Sequence, residues 1–324
     1  MQYRSIILAT ALAVTTAFST GAQARDLRAS HNANPDEPYG VGLAEMSRIL
    51  DQETNGALKI QVFANAQLGD EMESIQGTQM GTVDIAVTAN ETLANFVPDL
   101  SVFSLPYLFK DAAQMDRALS DERVFDAVSQ MVSERGFQLL AIFSAGERHI
   151  MSHKPIQSMD DLKGLKIRTI QNPAHLDAFK AFGANPTPLP YTELYGALET
   201  GVVDGAEAAN TNYYAQKFYE VTPSWAMVSW LELVAPVIMG KAQFDALPAD
   251  EQAALLDAGK KAGTFERQFY AKSDEEKLEK LKEAGVTVTI PDQTPFRAAA
   301  ETIKSKYLDN DTKRDLYALI NSIQ

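Results

Sequence analysis

The sequence predicts an α/β protein folded as two lobes, with one long helix running across both. Three observations carry that expectation. Strand-like and helix-like patterns follow one another in the strand–helix–strand order that builds mainly parallel sheets. The chain has 324 residues, and a single core stops growing at about 250–300, so two lobes are expected. The charged helical pattern over 250–284, broken only by Gly259 and Gly263, is too long for the core of one lobe and reads as a strut.

Residues 27–30 read as a first strand, and 31–38 as a polar turn that holds His31 and Asn32. A helix follows, with Val41, Leu43, Ala44, Met46, Ile49 and Leu50 on its apolar face. Residues 58–63 alternate polar and apolar, as a half-buried strand does. Another helix is expected near 71–80, then a short apolar strand over 83–87 with Asn90 and Glu91 just beyond its end. Residues 138–143 form a strand that runs into Ser144-Ala145-Gly146-Glu147-Arg148. The strand 165–169 feeds Ile170-Gln171-Asn172-Pro173, and Pro173 suits the start of the helix 174–182 because its missing N–H would be unpaired there. A helix over 192–199 and a short strand at 202–203 complete the pattern before the strut.

The N-terminus reads as an export leader. Arg4 supplies a positive start, 6–18 is apolar, and Ala22-Gln23-Ala24 has the small-x-small form that signal peptidase cleaves. The apolar run is shorter than the roughly 20 residues that cross a bilayer. Cleavage after Ala24 leaves 300 residues, and with no Cys anywhere there is no lipidation site, disulfide, thiol catalyst or thiolate metal site. The formal net charge of −14 becomes −15 when Arg4 leaves with the leader. Such a surface repels nucleic acid and anionic lipid, and no basic run offsets it.

The positions of two arginines are the informative feature. Arg148 follows a strand, and Arg168 lies inside the apolar strand 165–169, where a charge is costly unless paired. Ligands of open α/β sheets sit outside the carboxyl ends of strands, where Asn32, Asn90, Arg148 and Arg168 all fall. A guanidinium fork matches a carboxylate through two parallel charge-assisted hydrogen bonds. The same Arg168 could instead pair internally with one of the chain's many acids.

Enzyme signatures are missing from the pattern. The histidines 31, 149, 153 and 175 have no metal-binding spacing, and there is no Gly-x-Ser-x-Gly elbow or phosphate-binding Gly-x-x-x-x-Gly-Lys loop. Asp160 and Asp161 suit a helix start, where carboxylates favour the dipole. Tyr213, Tyr214, Phe218 and Tyr219 fit a packed core, or less simply a surface on which sugars stack.

Across nearly all of the chain after the leader, the sequence resembles the substrate-binding proteins of tripartite ATP-independent periplasmic (TRAP) transporters. The resemblance is carried by Gln67-Leu68-Gly69-Asp70-Glu71, Leu105-Pro106-Tyr107-Leu108-Phe109, Asp161-Leu162-Lys163-Gly164-Leu165-Lys166-Ile167-Arg168 and Gly183-Ala184-Asn185-Pro186-Thr187-Pro188. It continues through Leu198-Glu199-Thr200-Gly201-Val202-Val203-Asp204-Gly205-Ala206-Glu207 and Lys217-Phe218-Tyr219-Glu220-Val221, all in the family's order. It implies a periplasmic binding-protein fold with a ligand cleft between lobes joined by crossing strands. One lobe would comprise 25–145 plus 235–272, the other 146–234 plus 273–324.

The resemblance makes Arg168 the main partner of a ligand carboxylate and Arg148 its reinforcement, with Asn32, Ala89 and Asn90 from the other lobe. The family often carries Asn after Asp-Gly-x-Glu; here that position is Ala208, so Asn210 or Asn212 is expected to supply the amide. His31, Glu147, Gln171, Asn172, Glu207 and Asn210 complete the polar set, with Tyr191 and Trp230 as walls. So many amides suit a polyhydroxylated acid, a hexuronate such as glucuronate or galacturonate, better than a bare C4-dicarboxylate, although several could simply cap turns. The implied partners are an organic acid and transporter membrane subunits, with no cofactor, metal or nucleic acid. Two other classes remain. A uronate-processing enzyme would have to use Glu147 and Glu207 as its acid–base pair, and a sensory receptor would bind the same ligand but signal.

Overall fold

The computed structural model describes residues 25–323; the leader expected over 1–24 lies outside them. The strands are β1 (Arg25–Ser30), β2 (Leu58–Phe63), β3 (Ile85–Val87), β4 (Phe137–Ser152), β5 (Lys166–Thr169), β6 (Asn185–Pro188), β7 (Gly205–Ala208), β8 (Ser224–Gly240) and β9 (Thr287–Thr289). In order between them run α1 (Pro38–Glu53), α2 (Glu71–Met80), α3 (Asn90–Leu93), α4 (Ala112–Ser120), α5 (Glu122–Ser133), α6 (Pro173–Ala181), α7 (Leu194–Glu199) and α8 (Asn210–Ala215). The chain continues with α9 (Lys241–Asp245), α10 (Ala249–Glu283), α11 (Thr294–Tyr307) and α12 (Asp311–Ser322). Among the described residues no helix is long and apolar enough to cross a membrane.

One sheet in the order β2-β1-β3-β8-β4-β7-β5-β6 serves both lobes, with β9 beside β8. At one end β1 pairs in parallel with β2 and β3, and at the other β5 pairs in parallel with β6 and β7. Between them β4 and β8, 16 and 17 residues long, run antiparallel from one lobe into the other. This is the two-lobed architecture expected, with β4 and β8 crossing between the lobes.

The turn composition of Ser144-Ala145-Gly146-Glu147 predicts that a strand ends at residue 143. The chain instead stays in β4. A register shift between Ser144 and Glu147 absorbs the irregularity, with Gly146 at φ 81°. Arg148 therefore stands inside a crossing strand and not beyond a strand's end. The segment 202–203, expected as a strand, is a bend that precedes β7. Strand β8 carries no clear pattern signal, because Ser224–Gly240 is a nearly unbroken apolar run without alternation.

Helix α10 is the strut. Leu255, Ala258 and Ala262 join the core shared by α1 and β1, while Leu281 joins the separate cluster around Leu194, Ala206 and Trp225. Gly259 belongs in this helix for a packing reason: a Cβ there would stand 2.2 Å from the Leu140 carbonyl oxygen. The glycine lets the helix backbone lie directly on β4. At the C-terminus, Phe296 of α11 packs on Phe182 next to α6, with ring centroids 5.2 Å apart. Leu316 and Ile320 of α12 join Leu100, Phe103 and Val128 in the first lobe's core. The last helix thus packs on the first lobe, whereas the division drawn from the resemblance gave all of 273–324 to the second.

Candidate functional site

The two parallel ends of the sheet face each other across a narrow cleft. Asn32, Tyr39, Glu71 and Ala89 line it from the first lobe. Arg148, Arg168, Tyr191 and Asn212 line it from the crossing strands and second lobe, with Ala145, Ile170 and Leu233 as apolar floor. Side-chain alternation in the crossing strands decides which groups arrive here. Ala145, Arg148 and Leu233 face the cleft, while Glu147 and Glu232 line a different pocket.

A buried charge cluster forms the base. Arg148 Nε donates to Glu207 Oε2 at 2.6 Å, its Nη1 to the Ala145 carbonyl at 3.1 Å and Asn212 Oδ1 at 3.3 Å, and its Nη2 to the Glu207 carbonyl. Arg168 donates Nε and Nη2 to the Leu189 carbonyl at 2.9 and 2.7 Å. Its Nη1 stands 3.6 Å from Glu207 Oε1, beyond hydrogen-bond length. Burial alone would push the Glu207 carboxyl up, but Arg148, His175 and Arg168 together hold it below the ordinary carboxylate value. For Arg168 burial wins, and its pKa is pulled below the usual guanidinium value despite Glu207. Two guanidinium groups share the Glu207 carboxylate, so while Glu71 keeps its proton the site is one negative charge short.

The remaining lining sets the polar character. Glu71 accepts hydrogen bonds from the Ala89 N–H at 2.8 Å and Thr92 Oγ1 at 2.5 Å, and burial pushes its carboxyl up to about 7. The Tyr191 hydroxyl is buried without a partner, and its ring centroid lies 6.0 Å from the Arg168 guanidinium carbon. Glu71, Arg168, Ile170 and Tyr191 also border a groove of about 450 Å³ that includes Asp70, Gln171 and Thr192. Hydrogen bonds close the lobes around these groups. Thr192 Oγ1 donates to Asp70 Oδ2 at 2.9 Å, Asn95 Nδ2 to the Gln171 carbonyl at 2.8 Å, and Asn212 and Gln216 to the Glu37 carboxylate at 2.8 and 2.7 Å.

Of the residues expected from the sequence, Arg168, Arg148, Asn32 and Tyr191 meet at the cleft, with Gln171 in the adjoining groove and Glu207 behind the arginines as their counter-ion. The others stand elsewhere, each for a physical reason. Asn90 is inside the first lobe, donating to the Leu100 carbonyl at 3.0 Å. Asn172 caps α6 and donates to the Glu91 carbonyl. Trp230 is core, packed edge-on against Phe179 with centroids 5.1 Å apart. His31 is buried with its ring edge-on to Tyr39, and it does not border the cleft. Glu147 and Asn210 line the other pocket, and Asn210 is held by Asp274 and the Trp225 indole. Of the two amides offered to replace the one missing at Ala208, Asn212 is at the cleft. Glu147 and Glu207, the pair an enzyme would need, are not assembled together. Among the described residues no group of three His, Asp or Glu side chains could hold a metal ion.

Sequence reasoning missed Tyr39 and Glu71. Glu71 was in view as the last residue of Gln67-Leu68-Gly69-Asp70-Glu71, but the N-terminal turn of a helix is an ordinary place for an acid. Tyr39 carried no signal, since an aromatic next to the start of a helix reads as packing.

Residues 29–310 match the family described as bacterial extracellular solute-binding protein, family 7 (DctP). The chain is 32% identical over 290 residues to the 2,3-diketo-L-gulonate-binding periplasmic protein YiaO of Escherichia coli (strain K12), covering 89% of this chain and 88% of that protein. A solved TRAP periplasmic solute-binding protein from Xanthobacter autotrophicus Py2, with bound β-D-galacturonate, superposes with a TM-score of 0.89 at 30% identity, covering 92% of this chain and all of that one. Another, from Roseobacter denitrificans with bound β-D-glucuronate, gives a TM-score of 0.87 at 28% identity over 93% of this chain and all of that one.

Proposed function

The chain belongs to the family 7 bacterial extracellular solute-binding proteins of TRAP transporters, and we propose that it captures a hexuronate such as glucuronate or galacturonate, or a closely related sugar acid, in the cleft between its lobes. The observation that carries the ligand class is the charge balance at Arg168. A single carboxylate supplies the missing negative charge, and the Nη1 edge of Arg168 stands 3.6 Å from Glu207 Oε1, too far for a hydrogen bond. Around it stand groups suited to sugar hydroxyls: the Asn32 and Asn212 amides, the Tyr191 hydroxyl and the Glu71 carboxyl. The acid-binding relatives and neighbours support the same class.

The mechanism is binding coupled to closure. A ligand held by Arg168 on one lobe and by Asn32 and Glu71 on the other makes its full set of contacts only when the lobes are shut, so it shifts the population towards the closed form. Micromolar affinity asks for about 8 kcal/mol net, within reach of two charge-assisted contacts plus hydroxyl hydrogen bonds. The protein works in the periplasm after cleavage at Ala24, and the closed form is presented to the membrane subunits of the transporter. It performs no reaction on the ligand.

Isothermal titration of the purified protein with glucuronate, galacturonate, galactonate, succinate and glucose tests this. Binding of the sugar acids, abolished in Arg168→Ala, is expected. Binding of succinate alone would replace the sugar acid with a dicarboxylate, and binding of glucose unaffected by Arg168→Ala would overturn the carboxylate anchor. Recovery of chemically altered ligand would overturn the binding-only mechanism.

A further inference from the structure

A second pocket, of about 550 Å³, opens on the other side of the crossing strands. Its position is unusual for the charges it holds. Glu147 of β4 and Glu232 of β8 stand directly opposite each other in the antiparallel register. Like charges across a strand pair repel, so this arrangement costs stability unless something lies between them. Asp274 of α10 and Asp111 at the start of α4 also border the pocket.

The positive groups nearby do not answer these acids. Arg267 turns its guanidinium to Asp116 at 2.6 Å, the Ile142 carbonyl and Ser120. His149 reaches Glu147 at 3.3 Å, but burial lowers its pKa to about 3 and leaves it neutral. Asp274 is satisfied by the Thr211 N–H and the Asn210 amide. Glu232 is not satisfied: it is only 6% exposed, and its Oε2 is buried with no partner. Burial, with Glu147, Asp274 and Asp111 adding to it, pushes the Glu232 carboxyl well above its ordinary value. A buried carboxyl with no counter-charge beside it marks a place where a cation would be stabilised.

The walls decide what kind of cation. Met115, Met227, Leu278 and Ala271 make much of the lining apolar, and among the described residues no three acids converge as metal ligands. A bare metal ion would find too few oxygens, whereas an aliphatic chain ending in a charged nitrogen matches both the apolar wall and the unpartnered carboxyl. We propose that this second pocket binds a small organic cation, an alkylammonium or guanidinium group on a short aliphatic chain, between Glu147 and Glu232. Its lining comes from α4, α8, β4, β8 and α10; of these β4, β8 and α10 join the lobes, so occupancy biases how the strands sit and is linked to closure of the cleft.

Titration calorimetry of the purified protein with putrescine and with agmatine, at low salt, tests the proposal. Saturable binding of at least one probe is expected, weakened at least about tenfold in Glu232→Gln. That substitution keeps the shape of the protonated carboxyl, so the fold should stand; Glu147→Gln, on the half-exposed side of the pocket, provides an independent second variant with the same expected direction. Glucuronate titrated into both variants checks that the cleft is intact. Binding of neither probe to the native protein, or binding unchanged by both substitutions, overturns the proposal whatever the glucuronate result.

Discussion

Arg148 and Glu207 form a buried ion pair at the base of the cleft, Nε to Oε2 at 2.6 Å, with the Glu207 side chain fully inaccessible. Arg168 leans on the same carboxylate from 3.6 Å. One buried acid therefore organises both guanidinium groups without satisfying either completely, which leaves room for the ligand's own charge.

Glu207→Gln should consequently be among the most damaging single changes. Removing one partner of a buried pair leaves an uncompensated charge and costs about 3–5 kcal/mol. The native Glu207 carboxyl lies below its unfolded value, so the stability it provides is present above that unfolded value and lost as pH falls through the native one. Chemical denaturation of wild type and variant across the acid range should show the two converging at low pH. Equal stability at neutral pH would contradict the assignment.

The two nearby amides should separate cleanly. Asn212→Ala removes a group shared by Arg148, Tyr270 and Glu37, and should weaken sugar-acid binding about tenfold, equivalent to about 1.4 kcal/mol. Asn210→Ala removes one of the two donors to Asp274 and the acceptor of the Trp225 indole. It should lower the melting temperature while leaving the dissociation constant unchanged. The reverse pattern would place the ligand on the other side of the crossing strands.

Affinity should depend on pH through Glu71. Burial holds its carboxyl at about 7. Below that pH it is neutral and can donate to a sugar hydroxyl; above it the anion competes with the ligand carboxylate for Arg168. Sugar-acid affinity should be flat on the acid side of neutrality and fall as pH rises through Glu71's titration. Glu71→Gln should flatten the profile, and a variant that keeps the wild-type slope would assign the titration to another group.

Gly146→Ala tests the bulge that aims Arg148. At φ 81° an added Cβ would stand 2.5 Å from Tyr270 Cε1 and 2.6 Å from Ala209 Cβ. The left-handed conformation alone costs about 1–2 kcal/mol for an L side chain. The clash adds to that and shifts Tyr270, whose hydroxyl lies 2.9 Å from Asn212 Oδ1. Both the melting temperature and the affinity for glucuronate should fall. Loss of stability with affinity intact would show that the bulge does not position the cleft.

Much of this protein was legible in its sequence because the deciding patterns are local. The periodicity of α1, α2 and α6 and the charged run of α10 follow from which residues must face a core. The costly Arg168 inside an apolar strand pointed at the cleft for the same reason. What the tertiary structure alone decided is which side of a strand a residue serves and what stands opposite it. Glu147 and Arg148 are neighbours in sequence, but the pleat and the bulge at Gly146 send one to the second pocket and the other to the ligand cleft. Asn210 and Asn212 are chemically identical, and the path of α8 after β7 puts only the second against Arg148. Trp230 and Asn90 have the chemistry of a binding wall and a hydrogen-bonding amide, but the packing of Phe179 and the Leu100 carbonyl claims them. Residue type sets what a side chain can do; the long-range pairing of β4 with β8, which no short window of sequence encodes, sets where it does it.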